Sequence, residues 1–421
     1  MSKIYRQTTM KTLKYSIIAI LALTTSCITN NLEFYGETVK VNYAILSVFS
    51  MFFLFACQSA KKETESIVIN IDINKSQNRN VTEFIDSIRF IKLETTDYSL
   101  MQGVTKVYFD DQKLIIFDYQ QQQVLVFQED GTLINKIRNV GQGYGEYVGM
   151  RIGFYNSDDK KIIIFGANKL LYYALDGTLI KEILGFGTET VLWDMVNLPN
   201  GNLLCYAHTV TQKYAGKKSG LWEADTDRNF VRNIFTIEEV YPIVTGNSHF
   251  QLLPKNKIMF RDALFNGIHY LENGELRKFI SYEIKDDIVP KFRGVTYAEG
   301  ENFIKSITAQ ESENYIFTYW LKIETNRNFY TVFNKETGES ILVAPSDVFW
   351  QGVVKPMYPC AVVNNRLDIL VTVLSGNEIL DYLNAKDSNP VIKNQLRELI
   401  EGMSEGEILT MNPVLQLLYV K

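Results

Sequence analysis

The sequence predicts an all-β fold: a six-bladed β-propeller closed by pairing of its N- and C-terminal strands, with one short helix inserted in the last blade. Three observations carry that expectation. The stretch Tyr108–Tyr147 holds three apolar runs, Leu114–Phe117, Val124–Phe127 and Leu133–Ile137, separated by turn residues at Asp110-Asp111, a Gln-rich step and Asp130-Gly131. Asp-Gly between strand-like runs signals a hairpin, because a primed turn needs positive φ. The unit then recurs: Asp130-Gly131-Thr132-Leu133-Ile134 is copied as Asp176-Gly177-Thr178-Leu179-Ile180, the glycines 46 residues apart. That spacing fits the period of about 40 to 50 residues of a propeller blade. Finally, the last repeat lacks a strand, while Ile85–Leu93 at the front has no blade of its own. Pairing the two removes both open sheet edges.

The chain has 421 residues, 46% apolar and 13% aromatic, mostly Tyr and Phe, which favour strands. A net charge of −5 without a basic stripe argues against a nucleic-acid partner, and nine prolines argue against a disordered, linker-rich chain. Residues 1–57 read as targeting sequence with two signal-like units. One runs from Met10 to Cys27 and the other from Lys40 to Cys57, each with an apolar stretch before its Cys. Both resemble bacterial lipoprotein signals, in which a small residue precedes the Cys that receives the lipid. Neither apolar run reaches the roughly 18 to 20 residues that span a bilayer. Cys57 is the expected lipidation site, since polar sequence follows it at once; a start near Val39 or Val41 would then leave the upstream residues as an extension. The alternative anchor is Cys27. Residues 58–83 read as a tether with a weak strand at Ile67–Ile73, and 84–421 as the propeller. Cys205 and Cys360 lie in apolar runs of different repeats and are expected to be core thiols.

Along the propeller, the second repeat covers Met150–Leu184 and the third ends near Ile237. The fourth ends near Ile284 with Asn273-Gly274 as its outer turn, and the fifth spans about Phe303–Val348 with Glu336-Thr337-Gly338 as its turn. The sixth starts with two strands in Cys360–Leu374. A helix follows, with Asn389 as N-cap, Pro390 at its first position, and Leu396, Leu399, Ile400 and Met403 on one face. Asn412–Lys421 is the last strand.

Four stretches carry a family resemblance: IDSIRFIKLETTD (Ile85–Asp97), GQGYGEY (Gly141–Tyr147), FNGIHYLENGEL (Phe265–Leu276) and the terminal NPVLQLLYVK. With them, Phe84–Lys421 resembles six-bladed β-propeller lipoproteins of Gram-negative gut-type bacteria, whose function is unassigned. The chain departs from the family pattern at Tyr144, where Pro is usual, and at Asn266-Gly267-Ile268-His269-Tyr270 in place of Asn-Asp-Thr-Ile-Tyr.

Loops that join one blade to the next, and those between the second and third strands of a blade, share one propeller face, which commonly carries the ligand. GQGYGEY is such a loop, and there Tyr144, Glu146 and Tyr147 are candidate ligand contacts; the competing reading is a structural clasp. Asp118, Asn168, Arg261, Asp262, Asn266 and Arg327 fall near the same face. An Arg-Asp pair beside an Asn suits a sugar or a peptide carboxylate, and the same residues also suit hydrogen bonding between blades. His208, His249 and His269 do not converge in this layout, so no metal and no cofactor are expected. No nucleophile elbow, Ser-His-Asp order or HExxH is present. The expected function is therefore a lipid-anchored module of the cell envelope, at the outer membrane, binding a glycan, a peptide or a protein partner. The alternative is a metal-dependent enzyme of the lyase or lactonase type with its site in the central channel.

Overall fold

The computed structural model describes residues 66–77, 79–166, 168–185, 190–210, 219–225, 227, 229–236, 249–262, 267–285, 304–322, 327–343, 364–386 and 388–421. It is a six-bladed β-propeller of antiparallel sheets, each meandering outwards from an inner strand. Blade 1 comprises Lys106–Asp110, Lys113–Asp118, Gln123–Gln128 and Leu133–Ile137; blade 2 comprises Met150–Asn156, Lys161–Gly166, Lys169–Ala174 and Leu179–Leu184. Blade 3 comprises Thr190–Asn197, Leu203–Val210, Gly220–Ala224 and Phe230–Thr236, and blade 4 Phe250–Leu253, Lys257–Asp262, Gly267–Glu272 and Glu275–Ile284. Blade 5 comprises Ile304–Glu311, Tyr315–Lys322, Arg327–Asn334 and Ser340–Val343. In blade 6, Ile369–Leu374 pairs with Val414–Val420, which pairs in turn with Ile85–Lys92.

The second and third strands are continuous apolar runs such as LIIF, VLVF and IIIF because both faces of each sheet are covered by a neighbouring blade. Leu114 and Ile116 face blade 6, whereas Ile115 and Phe117 face blade 2, and all four are fully buried. Separate apolar clusters fill the gaps between blades 3 and 4, 4 and 5, and 5 and 6.

Closure follows the expected scheme. Ile85–Lys92 runs antiparallel to Val414–Val420, with Lys92 opposite Val414 and Ile85 opposite Val420. Asn412 then ties the outgoing chain to blade 1: its Nδ2 donates to the carbonyls of Glu94 (2.7 Å) and Ser99 (2.9 Å), and its Oδ1 accepts from Met101 N–H.

Three expectations are corrected. The segment expected to be a tether carries a strand of the fold: Ile67–Ile71 lies parallel to Glu275–Ile284 as a fifth strand of blade 4. Its alternation buries Ile69 and Ile71 on the sheet and leaves Val68 exposed, so it covers an edge that would otherwise present unpaired backbone groups. Gln77 then bridges Val343 of blade 5 before the chain enters blade 6. The packed body thus begins near Ile67 rather than Phe84.

Among the described residues, the insertion in blade 6 holds three helices rather than one: α1 (Gly376–Asn384), α2 (Pro390–Leu399) and α3 (Glu405–Thr410). Asn389 and Pro390 start α2 as expected, and Leu396 is buried with Leu399, Ile400 and Met403 packed beside it. The other two begin at reciprocal Ser-x-x-Glu capping boxes, Ser375 with Glu378 and Ser404 with Glu407.

The Asp-Gly turns also differ from the two-residue primed form. Gly131 N–H donates to Gln128 and Gln128 N–H to Thr132, a three-residue loop in which Gly131 takes φ +95° while Asp130 accepts from Thr132 N–H at 2.8 Å. The copy repeats every one of these contacts, with Gly177 at φ +85°. A two-residue turn with both residues at positive φ occurs instead at Asn273-Gly274.

Candidate functional site at the lower mouth of the channel

The meander gives the propeller two distinct ends. The upper end carries the loops between blades and those joining second to third strands. The lower end carries the hairpins joining first to second and third to fourth strands.

Towards the upper end the inner strands are tied to one another by buried polar groups. Lys106 and Asp194 are 2% and 1% exposed, and Lys106 Nζ donates to Asp194 Oδ1 at 3.0 Å, linking blade 1 to blade 3 past the intervening blade. Asp194 Oδ2 accepts from the N–H groups of His249 (2.8 Å) and Phe250 (3.3 Å) at the start of blade 4. Burial disfavours the Lys106 ammonium, but the adjacent Asp194 outweighs it and the Lys106 pKa is raised. The Tyr119 hydroxyl both accepts from Gly153 N–H (2.7 Å) and donates to Gly153 C=O, joining blades 1 and 2. Nearer the lower end, the amide of Gln251 brackets the backbone of Glu311, and that of Asn365, which also lines the lower mouth, brackets Phe109. A side-chain amide carries both donor and acceptor, so each copies a step of a β-ladder between blades whose strands do not pair.

The candidates from sequence sit as follows. Asp118 is fully buried and accepts from Gln102, Gln120 and Gln121 N–H and from Gln123 Nε2. In GQGYGEY, Glu146 Oε2 accepts from Gly143 N–H at 2.8 Å, and a Cβ on Gly141 would lie 2.1 Å from that oxygen. Tyr147 is buried between blades 1 and 2 and donates to Gln122 C=O at 2.7 Å; burial pushes its phenol pKa up. These contacts are those of a clasp. Tyr144, by contrast, is 81% exposed at the loop tip. Asn168 occupies a hairpin position at φ +70° and is exposed. Arg261 is buried in the second strand of blade 4, where its N–H donates to His249 C=O. Asp262 and Arg327 terminate strands of blades 4 and 5. Asn266, Cys360, Cys57 and Cys27 lie outside the described residues. Cys205 is a buried thiol in the second strand of blade 3. His208 and His269 fall in the second and third strands of different blades and His249 beside an inner strand; among the described residues no three His, Cys, Asp or Glu side chains gather.

The described cavities lie at the opposite end. A pocket of about 280 Å³ opens at the lower mouth, lined by the first hairpins of blades 2, 3 and 4 together with Tyr108 and Asn365. It shares Leu198, Pro199, Pro254, Lys255 and Ile258 with a groove of about 680 Å³ that runs outwards between blades 3 and 4 as far as Glu223, Arg232 and Gly274. Most charges here are paired: Lys160 with Asp110 at 2.6 Å, Arg232 with Glu223 at 2.8 Å, Lys257 with Glu272 at 3.5 Å. Asp110 also accepts from the Tyr155 hydroxyl. Burial raises the Glu223 pKa, yet donors from Arg232, Asn202 and Asn200 outweigh it and the carboxyl is held below its usual value.

Residues 65–419 match a family described as Domain of unknown function (DUF4934). The chain belongs to the DUF4934 family. No curated protein matches this DUF4934 chain. Among solved structures it is similar to a candidate exported protein from Bacteroides fragilis NCTC 9343, with 18% identity and a TM-score of 0.71 over 85% of this chain and all of that one. That likeness shows the fold. A member of the DUF4221 family from Bacteroides vulgatus (11% identity, TM-score 0.46, 80% of this chain and 97% of that) and a streptogramin B lyase (13%, 0.37, 62% and 74%) are too distant to carry an argument.

Sequence reasoning about this DUF4934 protein missed Lys106, Asp194 and the lower mouth. A signal was present for the first two: each is a charge inside an apolar inner-strand run, TKVYF and LWDMV. Nothing local reports that they meet, since 88 residues separate them.

Proposed function

We propose that the protein is a binding module of the cell envelope that takes its ligand, a glycan, a peptide or an envelope protein, at the lower mouth. The observation that carries this is the asymmetry of the channel. Among the described residues, a buried ion pair spans the channel towards its upper end, and a polar pocket continuous with a groove of useful size opens at the lower mouth. The exported character ascribed to the Bacteroides fragilis relative, and the two lipoprotein-like Cys signals, support a location outside the cytoplasm with Cys57 carrying the lipid.

Two experiments test the reading. Glycan and peptide arrays probed with the full chain should show binding that Lys255→Met or Asn197→Leu weakens; binding indifferent to both, or none, would sink the lower mouth as the site. Labelling cells with a clickable fatty acid should mark the wild type and Cys27→Ser but not Cys57→Ser, and the reverse pattern would move the anchor to Cys27.

A further inference from the structure

The lower mouth holds three polar groups that the fold does not use. Lys255 is exposed at the junction of pocket and groove, on a backbone held at φ +62°, and makes no hydrogen bond or ion pair among the described residues. The Asp158 carboxylate on the blade 2 hairpin is likewise without a partner there, although neighbouring Asp110, Glu223 and Glu272 are all paired. Asn197 Oδ1 is shut off from solvent and accepts no hydrogen bond among the described residues. Leu198, Leu252, Leu253 and Ile258 supply an apolar wall beside them.

From this set we infer the ligand class: a short peptide with both termini free. This rests on the proposed binding function and narrows it. A terminal carboxylate matches Lys255 and a terminal ammonium matches Asp158, with an aliphatic side chain against the apolar wall. A neutral glycan fits the same surface poorly. It brings no charge for Lys255 or Asp158, and the rings that line or border the site offer it no stacking face: Tyr108, Tyr155 and Tyr270 are 5%, 1% and 6% exposed.

The test is calorimetric titration of the full chain in detergent with the dipeptide leucyl-alanine, its N-acetyl derivative and its C-terminal amide. The free dipeptide should bind at least about tenfold more tightly than either blocked form. Lys255→Met should abolish the preference for free acid over amide while keeping the preference for free amine. Asp158→Asn should do the converse. A folding defect would weaken all three probes together and could not produce this crossed pattern. Equal binding of all three probes, or no binding of the free dipeptide at millimolar concentration, overturns the inference. Binding of an array glycan in a manner sensitive to Lys255→Met would overturn the peptide assignment and leave the binding function standing. Failure of both arrays and dipeptides would remove both.

Discussion

The two ends of the channel use the same kind of residue for opposite purposes. At the upper end a Lys and an Asp are buried and engage each other, with two backbone N–H groups completing the carboxylate. At the lower end a Lys and an Asp stand in or beside a cavity with no partner among the described residues. The difference teaches how to separate structural charge from available charge in a propeller. A charge that spans blades is satisfied and closes the ring, whereas a charge on a hairpin tip beside a cavity costs the fold little and is open to a ligand.

The largest expected effect that would break this contrast is at Asp194. Asp194→Ala strands a buried ammonium and two N–H groups, and should cost about 3–5 kcal/mol in urea unfolding. Replacing the pair together, Lys106→Met with Asp194→Leu, should recover much of that loss, because no buried charge is then uncompensated. A single mutant as stable as wild type would show that the upper clasp is dispensable.

Next in size is Tyr119→Phe. It removes the hydroxyl that serves both backbone groups of Gly153, and about 1–3 kcal/mol should be lost for buried groups left unpaired. A midpoint unchanged from wild type would mean that water or backbone movement replaces the hydroxyl.

A smaller effect, visible only in acid, is expected from Glu223. Its folded pKa lies below its unfolded value, so its contribution is present above about pH 4.5 and is lost as pH falls through the folded value. Thermal melts between pH 6 and pH 3 should therefore show a steeper decline for wild type than for Glu223→Gln. Parallel curves would mean that the Arg232 and Asn contacts do not hold the carboxylate.

The smallest expected change in stability is at Lys255. Lys255→Met should stay within about 0.5 kcal/mol of wild type, even as it alters ligand preference. A loss above about 2 kcal/mol would move Lys255 to the structural side of the comparison.

Much of the fold was legible because its signals are local. Turn glycines, apolar runs covered on both faces, and the helix start at Asn389-Pro390 each lie within a few residues. The two Asp-Gly-Thr turns show where that legibility stops. Their hydrogen bonds are the same, yet a Cβ on Gly131 would lie 2.0 Å from Lys92 O, whereas one on Gly177 would meet the Asn135 amide at 3.1 Å and Ile137 at 3.5 Å. Blade 1's turn is packed under the closing N-terminal strand and blade 2's is not, a distinction invisible in identical pentapeptides.

By itself, the sequence determined the repeat, the antiparallel meander and the closure of the first strand on the last, because alternation, turn backbone and edge avoidance act over short spans. It also pointed to GQGYGEY, where Gly141 and Gly143 leave room for the Glu146 side chain. Only the tertiary structure decided that Ile67–Ile71 docks on blade 4, that Lys106 meets Asp194, and which charges go unpaired at the lower mouth. These depend on which blades the ring brings together, and ring closure sets distances between residues that share no local pattern.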